Sequence, residues 1–232
     1  MKFATLFLAV FLITFPCLCC AEPADLPLTK FEQKAFTPEE VLQELLAGNK
    51  RFISGQPIHR DVPGRIKAAS GGQFPKAVIL SCLDSRVPVE KIFDVSIGDI
   101  FVGRVAGNVV NEDQLGSMEF ATKLAGAKLV MILGHSECGA VKGAIDGAEL
   151  GNLTALLAKI RPAVDAVEGF SKAERTSSNA EFLDKVIHRN VHEMILHVRK
   201  NSPVLAQLEK EGKIKIVGAI YDLHTGKISL TE

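Results

Sequence analysis

The chain has 232 residues, 47% of them hydrophobic and 23% charged, which is the make-up of an ordinary globular protein with one sizeable core. Its 27 basic and 27 acidic side chains balance, and no basic run breaks the sequence. Nothing in that charge pattern suggests a nucleic-acid or polyanion partner.

The first 21 residues place Lys2 before a nearly unbroken apolar run from Phe3 to Phe15, followed by small side chains. This is the pattern of a secretory signal, too short for a bilayer-spanning helix, and it predicts cleavage after Ala21. Lipid attachment at Cys19 or Cys20 is the alternative, weakened because neither cysteine follows a clean Leu-x-small pattern. The expectation is an exported, periplasmic protein with no membrane span in the mature chain. Cleavage removes Cys17, Cys19 and Cys20, leaving Cys82 and Cys138. Exported proteins commonly oxidise such a pair, so on compartment alone a disulfide is the expected state.

Residues 22–36 contain prolines and no periodicity, which predicts an extended N-terminal arm ahead of a single domain over 37–232. Thr37, Pro38 and Glu40 spell a capping box, so a helix is predicted from about Pro38 to Phe52, forming a helical arm onto the domain. Three apolar runs follow, at 76–82, 99–107 and 128–135, alternating with helical patterns such as NEDQLGSMEFATKLAGA. Buried strands between amphipathic helices predict an α/β fold with a mostly parallel central sheet flanked by helices. Helices are predicted near 150–168, 178–201 and 202–211, and KIKIVGAIYDLHTGKISL predicts a last strand and a hairpin edge joined at HTG.

Chemistry-bearing residues gather where strand patterns end. Cys82 closes one strand pattern in LSCLDSRVPVE, and His135 closes another in GHSECGAVKGA, with Cys138 three residues on. Open α/β sheets bind ligands at the carboxyl ends of their strands, so all three soft donors are expected at one rim. Two cysteines and a histidine can close three corners of a zinc tetrahedron and leave a fourth open. The competing readings are a structural disulfide for the cysteines and a surface ion pair for Asp84 and Arg86. His188 and His192 have metal-capable helical spacing, with His197 beyond. Their HExxxH is one residue too long for a metalloprotease motif, and a solvated helix face is expected there.

Taken together, CLDSRVPVE, GDIFVGRVAGN and GHSECGAVKG resemble the β-class carbonic anhydrases, whose signature is CxDSR and HxxC; the likeness runs from LLAGNKRF to IVGAIYDLHTGKI. The resemblance implies one zinc ion per chain on Cys82, His135 and Cys138, beside an Asp84–Arg86 dyad, with zinc-bound hydroxide interconverting CO2 and bicarbonate. It implies that Asp84 can become a fourth zinc ligand in a closed, inactive state. It further implies substrate contacts from Gln73, Phe101, Ala106 and Gly139, with Gln73 reaching across a dimer interface, hence a homodimer or higher even oligomer. Ile79 stands where a bicarbonate-regulated subgroup has tryptophan, so no such regulatory pocket is expected, although the matching Arg104 is present. Phe120 replaces a tyrosine of many plant-like members and carries no hydroxyl.

Two thiolates and a neutral imidazole cancel the charge of Zn²⁺. Its bound water should therefore acidify less than at a three-histidine zinc site, where it titrates at about 7. Activity is expected to rise with pH through and above neutrality. Hydrolysis of another small linear molecule such as CS2 or COS on the same site, and a non-catalytic exported protein with a Cys82–Cys138 disulfide, are the rival readings.

Overall fold

The structure is a computed structural model that describes residues 26–231, so the signal-peptide expectation lies outside the described residues. Five strands, β1 (Ala77–Ser81), β2 (Ile100–Arg104), β3 (Leu129–His135), β4 (Lys215–Tyr221) and β5 (Ile228–Leu230), form one sheet in the order β2-β1-β3-β4-β5. The first four are parallel, and β5 runs antiparallel to β4 as the predicted hairpin edge. Every residue of β1 and β3 is buried. Helices on both faces leave these strands no solvent side, which is why their sequences are unbroken apolar runs rather than alternating ones.

The helices are α1 (Lys30–Ala35), α2 (Pro38–Ile53), α3 (Val62–Ala69), α4 (Val89–Ile92), α5 (Glu112–Glu119), α6 (Gly139–Asp146), α7 (Gly151–Ala158), α8 (Arg161–Ala166), α9 (Ala180–Asn201) and α10 (Pro203–Lys210). Side chains alternate across a strand, so successive residues of β1 feed two cores. Val78 and Leu80 join Val130 and Ile132 under α9, which contributes Phe182, Val186 and Val191. Ala77 and Ile79 join Leu129, Met131 and Leu133 under α2, which contributes Val41, Leu42 and Leu45. The hairpin is tied to α2 by Asn49, whose Nδ2 donates to the carbonyls of Ile92 (3.2 Å) and Gly226 (2.9 Å) while its Oδ1 accepts from the Ile228 amide at 2.9 Å.

Two expectations are corrected. The segment to residue 36 is not extended throughout: Lys30–Ala35 is helical, started by a capping box between Thr29 and Glu32. It is held down by buried Gln33, which donates to the carbonyls of Pro75 and Ala125, each at 2.8 Å. The predicted helix at 150–168 is two helices, because Pro162 lies in the first turn of a new one and cannot continue the hydrogen-bond ladder of α7. Among the described residues, no helix is long and apolar enough to cross a membrane.

Candidate metal centre

Strand register decides where the site forms. Ser81 ends β1 level with Leu133, so Cys82 emerges at the sheet rim one residue short of the level of His135, the last residue of β3. The chain then turns tightly through Glu137, whose φ of 57° is left-handed, and delivers Cys138 as the N-cap of α6. Residues distant in sequence thus meet at the carboxyl edge of the sheet. The two sulfurs and one imidazole nitrogen all lie within 4.8 Å of one another, and all three residues are buried.

The donor set suits a soft dication. His135 Nδ1 donates to the Ser136 carbonyl at 2.8 Å, which leaves Nε2 as the lone-pair nitrogen. That Nε2 is buried and has no hydrogen-bond partner, a state that costs free energy unless something electrophilic occupies the space before it. Cys82 and Cys138 are free thiols with sulfurs 4.0 Å apart, twice the length of a disulfide bond, so the disulfide reading is not what the structure shows.

The thiols also share charge unequally. Cys82 is pushed well below an ordinary thiol because the Cys138 thiol donates to it, with further donors in the amides of Asp84 and Gly107. Cys138 is pushed up by that same contact and by burial. The pair therefore carries one negative charge readily and a second only if a cation neutralises it. Cys, Cys and His with one corner open fit zinc on chemistry and on geometry.

Beside this cluster the turn CLDSR folds back on itself. Arg86 donates from its backbone amide (2.9 Å) and Nε (2.9 Å) to Asp84 Oδ1, and from Nη2 to Oδ2 at 2.7 Å. The guanidinium fork holds the Asp84 carboxyl far below the usual carboxylate range. Asp84 Oδ2 lies 3.8 Å from His135 Nε2. Arg104, at the end of β2, donates to the Cys82 carbonyl at 3.0 Å and to that of Asp84, fixing the turn from below. Gly107 donates its amide to Cys82 Sγ at 3.3 Å.

A cleft of about 430 Å³ opens over these groups, walled by Cys82, Asp84, Arg86, Ala106 and Gly139. Six of the sequence-predicted residues are therefore together at the rim of the sheet with His135 beneath. Two are not. Phe101 lines a separate groove along the edge strand β2, edge-to-face with Phe120 at 6.2 Å between ring centroids. Gln73 is exposed in the connection between α3 and β1. His188, His192 and His197 lie on α9 and take no part in the three-donor cluster. Sequence reasoning missed Gly107 and Ser136 as supports, and it read Arg104 only against a regulatory pocket. The one available signal was the glycine of VAGN; the contacts of Arg104 and Gly107 with Cys82 span 22 and 25 residues and carry no local pattern.

Fold and site together define an open, mostly parallel α/β protein with a buried Cys-His-Cys cluster able to hold a metal at its carboxyl edge. A family model described as carbonic anhydrase matches residues 77–228. Carbonic anhydrase 2 of Mycobacterium tuberculosis is 35% identical over 197 residues, covering 84% of this chain and 93% of that protein. A carbonic anhydrase of Pseudomonas aeruginosa is 32% identical over 70% of this chain and 76% of its own. Among solved structures, a β-carbonic anhydrase of Sordaria macrospora superposes with a TM-score of 0.63 at 25% identity, covering 82% of this chain and 96% of that one. The chain belongs to the carbonic anhydrase family, in its β class, and is an enzyme of that kind.

Proposed function

We propose that this enzyme interconverts CO2 and bicarbonate at a zinc ion held by Cys82, His135 and Cys138. The observation that carries this reading is the buried, partnerless Nε2 of His135 within 4.8 Å of two thiol sulfurs. Zinc, when bound, supplies the Lewis acidity that makes water nucleophilic near neutral pH.

The remaining steps belong to this chain's own residues. Asp84, kept ionised by Arg86, can only accept a hydrogen bond, so it selects one orientation of the attacking water. With both of its oxygens engaged by Arg86, Asp84 is held in the open arrangement, and release of that fork would free it to act as a fourth ligand. Ala106 and Gly139 leave the cleft wall apolar and without bulk, which suits a small linear molecule with no charge. Gln73 and Phe101 would complete the pocket from a neighbouring subunit. The description of the Sordaria macrospora enzymes as tetrameric supports such an assembly here.

Export through a cleaved leader at Ala21 is part of the same proposal, supported by the N-terminal pattern. Cell fractionation with N-terminal sequencing tests it: protein retained in the cytoplasm with Met1 intact would remove it.

Stopped-flow CO2 hydration with parallel metal analysis tests the activity. Hydration should be abolished by a chelator, restored by zinc, and rise with pH through and above neutrality. In His135→Ala and Cys138→Ser, zinc affinity should fall by more than the roughly 100-fold that loss of an outer-sphere partner can cause. Zinc-loaded protein without hydration at any pH would move the function to another substrate.

A further inference from the structure

We infer that Asn190, on α9 and outside the cleft, is a positioning residue for the Cys82 thiolate, acting through Gly107. Asn190 is 1% exposed, and its Nδ2 donates to the Gly107 carbonyl at 2.9 Å. The amide of that same glycine donates to Cys82 Sγ at 3.3 Å. One residue thus joins a helix 83 positions away to a metal-ligating sulfur.

The relay can act because the intervening loop takes its position from the side chains packed around it. Gly107 and Asn108 are successive left-handed residues, with φ of 66° and 46°. Glycine adopts that region freely and asparagine tolerates it, so the turn is tight without strain and its position is set by what it packs against. A Cβ at Gly107 would come within 2.6 Å of Ile160 Cδ1 and 3.2 Å of Ala140 Cβ, so the loop is pressed close to its neighbours. Asn190 grips it from α9, and one helical turn on, Met194 Sδ accepts the Val110 amide at 3.2 Å. Residues at i and i+4 share a helix face, so α9 presents two anchors in line to the segment 107–110.

α9 is itself seated on the ligand strand. A Cβ at Gly134, next to His135, would meet Val191 Cγ2 at 2.7 Å, and Val191 is fully buried. Adjacent residues of one helix therefore index the Cys82 sulfur and the His135 strand to each other. Cys82 is 4% exposed, so solvent cannot readily replace the Gly107 donor if the loop shifts. An N–H donor on a thiolate orients its lone pairs and withdraws charge from the sulfur, and outer partners of this kind typically govern metal affinity 10- to 100-fold.

The inference rests on zinc being held by Cys82, and the test separates the two. Asn190→Leu keeps the approximate shape and removes the donor; Asn190→Ala removes it with less bulk. Zinc affinity is read by competition with a chromophoric chelator, and sulfur donation by the sulfur-to-metal charge-transfer band after cobalt substitution. Both variants should bind zinc roughly tenfold or more weaker, and the band should move to lower energy as the sulfur loses its hydrogen bond. Variants that are merely less heat-stable, with affinity and band unchanged, overturn the positioning role and leave the zinc reading intact. Wild-type protein that takes up no stoichiometric zinc overturns both. A measurement on the wild type stands apart from variant folding: in the cadmium-113 form, the Gly107 amide proton should couple to the metal through Cys82 sulfur. Absence of that coupling, with cadmium bound, also overturns the proposal.

Discussion

Asp84 Oδ2 stands 3.8 Å from Nε2 of His135 while both of its carboxylate oxygens are engaged by Arg86. On the reading proposed above, the carboxylate is close enough to the metal seat to compete for it, and Arg86 would hold it back.

Arg86→Ala should therefore lower CO2 hydration roughly 10- to 100-fold with zinc still at one per chain, because the carboxylate is freed to close the open corner. Arg86→Lys should recover little, since an ammonium cannot reproduce the planar fork. Stopped-flow rates beside metal analysis make the comparison, and full activity in Arg86→Ala would remove the gate from the account.

The same pair predicts a direction for stability against pH. Arg86 holds the Asp84 carboxyl below its unfolded value of about 3.9, so the stabilisation is complete above that value and fades as pH falls toward the folded one. In urea titrations with chelator present, the wild type should exceed Arg86→Ala by a constant margin above about pH 5, narrowing below about pH 4. A margin that widens on acidification contradicts the assignment.

The cysteine sulfurs, 4.0 Å apart and free, should couple once zinc is removed. A small disulfide reagent would oxidise both thiols to one bond and be reduced to two thiols, so no other oxidant is required. Alkylation with peptide mapping should show Cys82 and Cys138 protected together after chelator and reagent, and accessible again after reductant. Equal protection in zinc-loaded and zinc-free protein would show that the metal does not guard them.

Asn49→Ala should destabilise the fold by about 1–3 kcal/mol without altering the metal cluster, because it strips partners from the Ile92 and Gly226 carbonyls and the Ile228 amide. Urea unfolding reads the loss. Unchanged stability would mean that solvent satisfies those groups.

Much of this was legible in the sequence because the relevant signals are local. The apolar runs marked β1, β2 and β3 because strands covered on both faces admit little else. The Thr37 box marked the start of α2. CxDSR and HxxC are short-range motifs whose donors lie on single turns, so their identities survive without knowledge of the fold. The Thr29–Glu32 box at the start of α1 and Pro162 at the α7–α8 break are equally local signals.

By itself the sequence determined the donor types, their placement at strand ends and the class of chemistry, since these follow from residue identity and short spacing. Only the tertiary structure decided that the thiols stand free at 4.0 Å, that Arg104 and Gly107 brace Cys82, and that Asn190 reaches Gly107 from α9. Those contacts join residues 22 to 83 positions apart. Their distances are set by strand register and by the packing of α9 on Gly134, which no local pattern encodes.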